Sequence, residues 1–200
     1  MSWVEPMAMP EHGTDAEQVV ELPIGGVFAT AGLVRIKTLL GSCVSSCLYD
    51  PATKTGGMNH ILLPGCMLQD DQGLASRYGV HAMELLINRI TRLGGARYRL
   101  RAKVFGGARL LTSAPKLTNV GALNSRFVLD FLASEHIPLD AYSLGGTTGM
   151  TVWFEPATGK ALIRRIPENV GRELASREQM RGAEVFRAAN RVSDHNVTLF

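Results

Sequence analysis

The sequence has no long apolar run, and this absence excludes a membrane-spanning class of protein. No stretch reaches the roughly 18 unbroken apolar residues that a membrane-spanning helix requires. The first 18 residues, MSWVEPMAMPEHGTDAEQ, carry acidic side chains and lack the apolar core of a signal peptide. We therefore expect a cytoplasmic protein without membrane insertion.

Cysteine and excess charge are also scarce. The net charge of +3 over 200 residues is too small to indicate binding to nucleic acid. The three cysteines, Cys43, Cys47 and Cys66, are too few and odd in number for a disulfide framework. No second Cys or His pair follows the C-x3-C spacing, which argues against structural zinc. No G-x-G-x-x-G or phosphate-binding loop is present, so nucleotide binding is poorly supported.

The hydrophobic pattern indicates strands interrupted by two helices. One helix face is marked by apolar residues at helical spacing, namely Met83, Leu86, Ile87, Ile90 and Leu93. A second helix is predicted from Val120 to His136. Strands are predicted within residues 19–36 and at 44–50, 55–63, 97–105, 139–144, 151–156 and 160–166. This order is typical of an α/β fold in which a mixed β-sheet is layered with helices.

The two ends of the chain differ in composition from its middle. Residues 1–18 are polar and contain two prolines, so we interpret them as a flexible leader. Residues 169–200 form an Arg-rich extension of helical character, in which Glu173 and Arg177 can pair one turn apart. This extension is either a partner contact or a solvated helix, and its composition favours the solvated helix. The main domain is then residues 19–168.

The segment Leu40-Gly41-Ser42-Cys43 is the most informative one chemically. Glycine permits a tight turn that presents a nucleophile, and the backbone N–H groups of such a turn can face a developing oxyanion. A cysteine there needs a nearby base to become a thiolate. His60 lies on the return strand, and an ordinary imidazole pKa of about 6.5 suits proton transfer.

Both residues also have structural interpretations. Cysteine is among the most buried residue types, and a lone histidine is more often structural than catalytic. We interpret Cys47 as a packing residue and Cys66 as a loop thiol. From the residues alone, a catalytic and a packing role for Cys43 both remain open.

The blocks TLLGSCVSSCLYDP and GGMNHILLP resemble the CheD family of chemoreceptor glutamine deamidases. The similarity continues through AKVFGGARLL, NVGALNSRFVLDFL and LGGTTGM to VWFEPATGKALIRR, and it covers roughly residues 22–166. The first two blocks are specific, whereas the later ones mainly indicate the fold. The resemblance implies a CheD-like deamidase domain with the fold of deamidating toxins and CheD-type cysteine hydrolases.

The resemblance also implies a Cys–His–Thr catalytic set. Its cysteine and histidine match Cys43 and His60 without gaps. An ungapped count for the threonine reaches Lys37, and adjacent strand residues point to opposite faces. Either a local bulge brings Thr38 into place or the third member is absent or replaced, and we predict Thr38. Three further residues are expected to bind substrate or the oxyanion: Gly41, Ser42 and Asn59.

What the resemblance implies about function is hydrolysis of glutamine side chains on methyl-accepting chemotaxis receptors. His60 would take the proton of Cys43, a thioester would form, and water would hydrolyse it without a metal or organic cofactor. A CheC-type chemotaxis phosphatase is implied as a second partner, and no nucleic acid is expected. Two alternatives remain: a binding module that docks to these partners without efficient catalysis, and a cysteine hydrolase of an unrelated small amide.

Overall fold

The computed structural model describes residues 18–63, 72–110, 119–167, 170–171, 173–178, 180–181 and 184. The strands are β1 (Gln18–Glu21), β2 (Val27–Thr30), β3 (Val34–Leu40), β4 (Val44–Asp50), β5 (Thr55–Asn59), β6 (Arg101–Gly106), β7 (Leu139–Leu144), β8 (Met150–Glu155) and β9 (Lys160–Arg165). The helices are α1 (Gln72–Arg92), α2 (Val120–Ser134) and a short 3₁₀ turn at Arg97–Arg99. The described positions between 170 and 184 are also helical, and we call them the C-terminal helix. Within these ranges, no helix has the length and apolar character needed to cross a membrane.

The strands form two mixed sheets rather than the single sheet that the sequence pattern indicates. One has the order β1-β3-β8-β9 and the other β2-β5-β4-β6-β7. The pairs β1–β3 and β6–β7 are parallel, and the remaining pairs are antiparallel. Both α1 and α2 contact the five-stranded sheet. The predicted class, an α/β fold of mixed sheet and helices, is confirmed.

Strand β4 lies at the centre of the molecule and contributes to two apolar layers. Its residues Val44 and Leu48 belong to the layer shared with α1 and α2. Cys47, together with Cys43 just before the strand, belongs to the layer between the two sheets. Since successive strand residues face opposite sides, a side chain's position along β4 decides which layer it enters. Cys43 therefore enters the layer between the sheets.

The strand predicted at residues 97–105 begins later, at Arg101, so the prediction is wrong for its first residues. Arg97 instead lies in the 3₁₀ turn, where its guanidinium pairs with Glu84 and Glu135 at 2.6 Å each. The alternation of apolar and basic residues there resembles a strand. Pairing with Glu84 of α1 and with Glu135, the residue that caps the end of α2, favours the turn.

Asp50, at the end of β4, is fully buried and joins β4 to the segment after α1. Its carboxylate accepts hydrogen bonds from Arg99 and from the backbone N–H groups of Ala52 and Ala96, the last two at 2.9 Å. Burial raises the pKa of the Asp50 carboxyl, but these donors outweigh it and hold the pKa well below its ordinary value.

Replacing Asp50 with alanine is expected to lower the free energy of unfolding by about 3 kcal/mol, because buried donors lose their acceptor. Urea denaturation at pH 7 measures this change. Asp130→Ala is the matched control, since Asp130 pairs with Arg126 on the surface and its side chain is 64% exposed. That control should change stability by less than about 0.5 kcal/mol. Similar losses in both variants would contradict the role of Asp50.

Candidate active site

Cys43 lies in the tight turn that joins β3 of one sheet to β4 of the other, and its side chain is fully buried. The loop after β6 fixes this turn. The backbone N–H of Gly107 donates to the carbonyl oxygen of Cys43 at 2.8 Å, and that of Ala108 donates to Gly41 at 2.7 Å. A Cβ on Gly41 would overlap the side chains of Leu110 and Glu178. The absence of a side chain at Gly41 thus leaves room for Leu110 and Glu178 beside the turn.

His60 follows β5 and is 3% exposed. Its Nδ1 lies 2.8 Å from Oγ1 of Thr38, and that hydroxyl donates to the carbonyl oxygen of Leu22 at 2.8 Å. A hydroxyl group has one proton, so Nδ1–H must be the donor to Thr38. The lone pair of the imidazole is then on Nε2, which is buried and accepts no hydrogen bond from the described part of the chain.

The environment of His60 keeps its imidazole neutral at neutral pH. Burial lowers the pKa of His60 from 6.5 to about 4, although the Glu178 carboxylate and the Leu22 carbonyl act in the opposite direction. A neutral imidazole with its lone pair on Nε2 can accept a proton from a thiol. The ring is therefore in the form that a general base requires.

Thr38 reaches His60 from a regular strand. Residues Ile36 to Leu40 of β3 pair one-to-one with β8, so no bulge is needed. Thr38 is 4% exposed and faces the layer between the sheets, as Ile36 and Leu40 do. Lys37 lies on the other face and pairs with Glu21 at 2.6 Å. The structure thus brings the predicted Thr38 together with His60, and it leaves Lys37 outside the site.

Asn59 does not join this group. Its side-chain Oδ1 accepts a hydrogen bond from the backbone N–H of Ser46 at 2.8 Å, and its Nδ2 donates to the sulfur of Met83 in α1 at 3.2 Å. Asn59 therefore faces the helices, on the opposite side of the sheet from Cys43. Its side chain therefore joins β4 to α1 and does not face the thiol, where a contribution to the oxyanion site was expected.

Gly41 and Ser42 donate hydrogen bonds to a carboxylate, that of Glu178, which was not among the expected site residues. Oε1 of Glu178 accepts hydrogen bonds from the backbone N–H groups of Gly41 at 3.0 Å and Cys43 at 3.4 Å. Oε2 accepts from the backbone N–H of Ser42 at 2.8 Å and from its hydroxyl at 2.6 Å. Three successive N–H groups thus converge on one carboxylate, and we call them the 41–43 nest. Such a nest can stabilise an oxyanion.

Glu178 belongs to the C-terminal helix, which has one exposed face and one buried face. Glu173 and Arg177 form the predicted surface pair at 2.6 Å. Leu174, Ala175 and Glu178 are each less than 7% exposed. The expected solvated helix therefore has one buried face. The i, i+1, i+4 spacing of these three buried residues could have indicated a packed face with an acidic member.

Among the described residues, one group could also hold a metal ion, namely Cys43, His60 and Glu178. One ligand atom from each lies within 4.8 Å of the other two. A thiolate, an imidazole and a carboxylate suit zinc. However, both oxygens of Glu178 already accept hydrogen bonds from the 41–43 nest, so metal ligation would require the carboxylate to reorient. The arrangement is instead suited to thiol attack on a carbonyl carbon whose oxygen occupies the nest.

The other two cysteines have different positions. Cys47 is fully buried between the sheets, and burial raises the pKa of its thiol well above its ordinary value. A buried thiol of this kind is inert, in agreement with its interpretation as a packing residue. Cys66 lies outside the described residues.

Comparison with known proteins gives matches over most of the chain. The family model described as CheD chemotactic sensory transduction matches residues 62–165. A protein of Xanthomonas campestris pv. campestris (strain B100), named "Probable chemoreceptor glutamine deamidase CheD", is 46% identical over 156 residues, which are 76% of each chain. A protein of Bordetella avium (strain 197N) with the same name is 43% identical over 157 residues, covering 76% of this chain and 69% of the relative. Among solved structures, the Bacillus licheniformis hypothetical protein YfiH has a TM-score of 0.36 at 14% identity. The match covers 58% of this chain and 49% of that chain.

Proposed function

Because the chain belongs to the CheD family, we propose that it is a protein-glutamine deamidase that converts specific glutamines of methyl-accepting chemotaxis receptors to glutamate. The observation that supports this proposal is the grouping of a thiol, a neutral imidazole and the 41–43 nest around one point. The relatives' names supply the substrate class, a glutamine of a chemoreceptor.

The proposed reaction proceeds through a thioester on Cys43. Nε2 of His60 takes the thiol proton, and Sγ attacks the side-chain carbonyl carbon of the glutamine. The N–H groups of the 41–43 nest stabilise the oxyanion, and ammonia leaves with the proton from His60. Water, activated by His60, then adds to the thioester carbon, and the C–S bond breaks to release glutamate and the thiol. Thr38 contributes by holding the imidazole in the tautomer that leaves Nε2 unprotonated.

Each conversion replaces a neutral amide with a carboxylate on the receptor. One added negative charge can shift an equilibrium between two signalling states if the states differ in the potential at that position. We include a CheC-type chemotaxis phosphatase as a second proposed partner, and place the reaction in the cytoplasm, where the signalling part of a receptor lies.

Peptide mass spectrometry of a cytoplasmic receptor fragment tests the proposal. Conversion of amide to carboxylate adds about one mass unit to particular glutamines, since an amide nitrogen is replaced by oxygen. We expect this gain with the wild-type chain. Absence of a gain on every receptor of the same cell, with binding retained, would favour the non-catalytic docking module. Turnover of free amides alone would favour a small-amide hydrolase.

Thr38→Val is expected to lower kcat by about 10- to 100-fold, because the base loses the group that orients it. KM should change by less than about threefold, since Thr38 acts through His60 and not on the substrate. Thr38→Ser keeps a hydroxyl at the same position and should restore most of the activity. Steady-state kinetics of ammonia release measures both constants. A loss that serine does not reverse would indicate that only the packing of the methyl group matters.

A further inference from the structure

The residue in the 41–43 nest has the side chain of the reaction's product. Hydrolysis of a glutamine amide yields a glutamate, and Glu178 is a glutamate whose carboxylate lies beside Cys43 and His60. We propose that Glu178 acts as an intramolecular product analogue, so that the C-terminal helix inhibits the enzyme until it is displaced. This inference rests on the proposed function, because it takes the nest to be the site of the substrate's amide oxygen.

The hydrogen bonds of Glu178 exclude a substrate from the same place. Its two oxygens take all three backbone N–H groups of the nest and the hydroxyl of Ser42, at 2.6 to 3.4 Å. Glu178 is itself only 3% exposed. A substrate amide needs these donors for its carbonyl oxygen, and it needs access to the Cys43 thiol, which lies within 4.8 Å of a Glu178 oxygen. The helix and the substrate must therefore bind in competition.

The C-terminal helix has the contacts expected of a displaceable element. Among the described residues of the helix, the buried side chains besides Glu178 are Leu174 and the small Ala175. Further along, Arg177, Met180, Arg181 and Glu184 border an open groove of about 450 Å³ against Pro23 and Ile24. Among the described residues, the specific polar attachment of the helix to the nest is one carboxylate with charge-assisted hydrogen bonds. Loss of that carboxylate should release the active site without unfolding the domain.

The first test uses Glu178→Ala and measures alkylation of the Cys43 peptide by iodoacetamide. The rate should rise by about tenfold or more, the order of effect expected when charge-assisted hydrogen bonds are lost. Turnover of receptor glutamines should rise in the same variant. Glu173→Ala is the matched control, because Glu173 is on the same helix with its side chain 66% exposed and away from the nest. It should match wild type in both measurements.

The second test replaces the Glu178 carboxylate with a glutamine amide, the group that the proposed reaction hydrolyses. In Glu178→Gln, the amide would lie where the carboxylate lies now, so Cys43 should hydrolyse it within the chain. The bond between the side-chain carbon and nitrogen breaks, ammonia leaves, and water supplies the oxygen that restores glutamate at position 178. Peptide mass spectrometry should show a gain of about one mass unit at this position. Gln179 in the same peptide is the internal reference, and Glu178→Gln combined with Cys43→Ala should remain unconverted.

The outcomes separate this inference from the proposed function. If wild type deamidates receptors while Glu178→Ala changes neither alkylation nor turnover, or lowers turnover, the inference fails and the proposed function stands. An unconverted glutamine at position 178 in a chain that is active on receptors would also overturn the product-analogue role. If wild type and Glu178→Ala both fail on receptors but alkylation accelerates, Glu178 still occludes the thiol and the proposed function fails. EDTA in all samples removes any contribution of a metal held by Cys43, His60 and Glu178.

Discussion

Cys43→Ala is expected to lower the rate of glutamine hydrolysis by a factor on the order of 10⁴ or more, because the thioester of the proposed reaction forms on Cys43. The remaining site would keep His60 and the 41–43 nest, which bind and polarise the amide but cannot replace the nucleophile. Ammonia release and mass spectrometry of the receptor fragment measure the loss. An alanine at a fully buried position also removes a sulfur from the core, so folding must be checked by thermal denaturation.

Cys47→Ala is the control for that loss. Cys47 is as buried as Cys43 and lies in the same layer between the sheets, but four residues further along. Its substitution should cost similar stability and leave turnover within about threefold of wild type. Retained activity in Cys43→Ala, or an equal loss in Cys47→Ala, would contradict the role of Cys43 as the nucleophile.

His60→Asn is expected to lower kcat by a factor on the order of 10² to 10⁴, the range that general acid–base catalysis contributes. Asparagine is chosen because its Nδ2–H can still donate to Thr38, so the link between the sheets is kept while the base is removed. Kinetics of ammonia release gives the effect on turnover. Wild-type turnover in this variant would show that another group takes the proton of Cys43.

The same substitution should change how stability depends on pH. The pKa of His60 is about 4 in the folded chain and 6.5 without the fold, so between these values the unfolded chain binds more protons. The stabilising contribution of neutral His60 is therefore complete above about pH 6.5 and is lost as the pH falls toward 4. Over that window the loss amounts to about 3 kcal/mol.

Urea denaturation at pH 7 and at pH 5 measures this dependence for wild type and His60→Asn. The difference between the two proteins isolates His60 from other groups that titrate in the same range. Wild type should lose more stability than the variant on acidification. Parallel losses would mean that burial does not lower the pKa of His60.

The sequence predicts the parts of the site that are close together along the chain. The turn ending at Cys43 and the strand leading to His60 are neighbours in sequence, so local turn and strand signals are sufficient to bring them together. Thr38 is predicted from the family resemblance, although the ungapped count reaches Lys37; in the structure it shares the buried face of β3 with Ile36 and Leu40. The strands predicted at 151–156 and 160–166 are found as β8 and β9, which pair antiparallel across a short turn.

Two features could not be obtained in this way, for physical reasons. Asn59 is adjacent to His60, but consecutive residues of an extended chain face opposite layers, and the sequence does not say which layer holds the thiol. Glu178 is 135 positions from Cys43, and nothing local indicates that its carboxylate finds the 41–43 nest. Charged residues on an Arg-rich helix are most often solvated, so composition favoured the wrong environment for this one.

The hydrogen bond between Thr38 and His60 crosses from one sheet to the other. The thiol and its base belong to the five-stranded half, whereas the group that orients the base belongs to the four-stranded half, where β3 pairs with β8 more than 110 positions along the chain. A chain still being synthesised therefore carries Cys43 and His60 long before β8 can complete the arrangement. Strand β3 gains its β8 partner only after residues 150–155 have been synthesised, so the orientation of His60 by Thr38 is a late event in assembly.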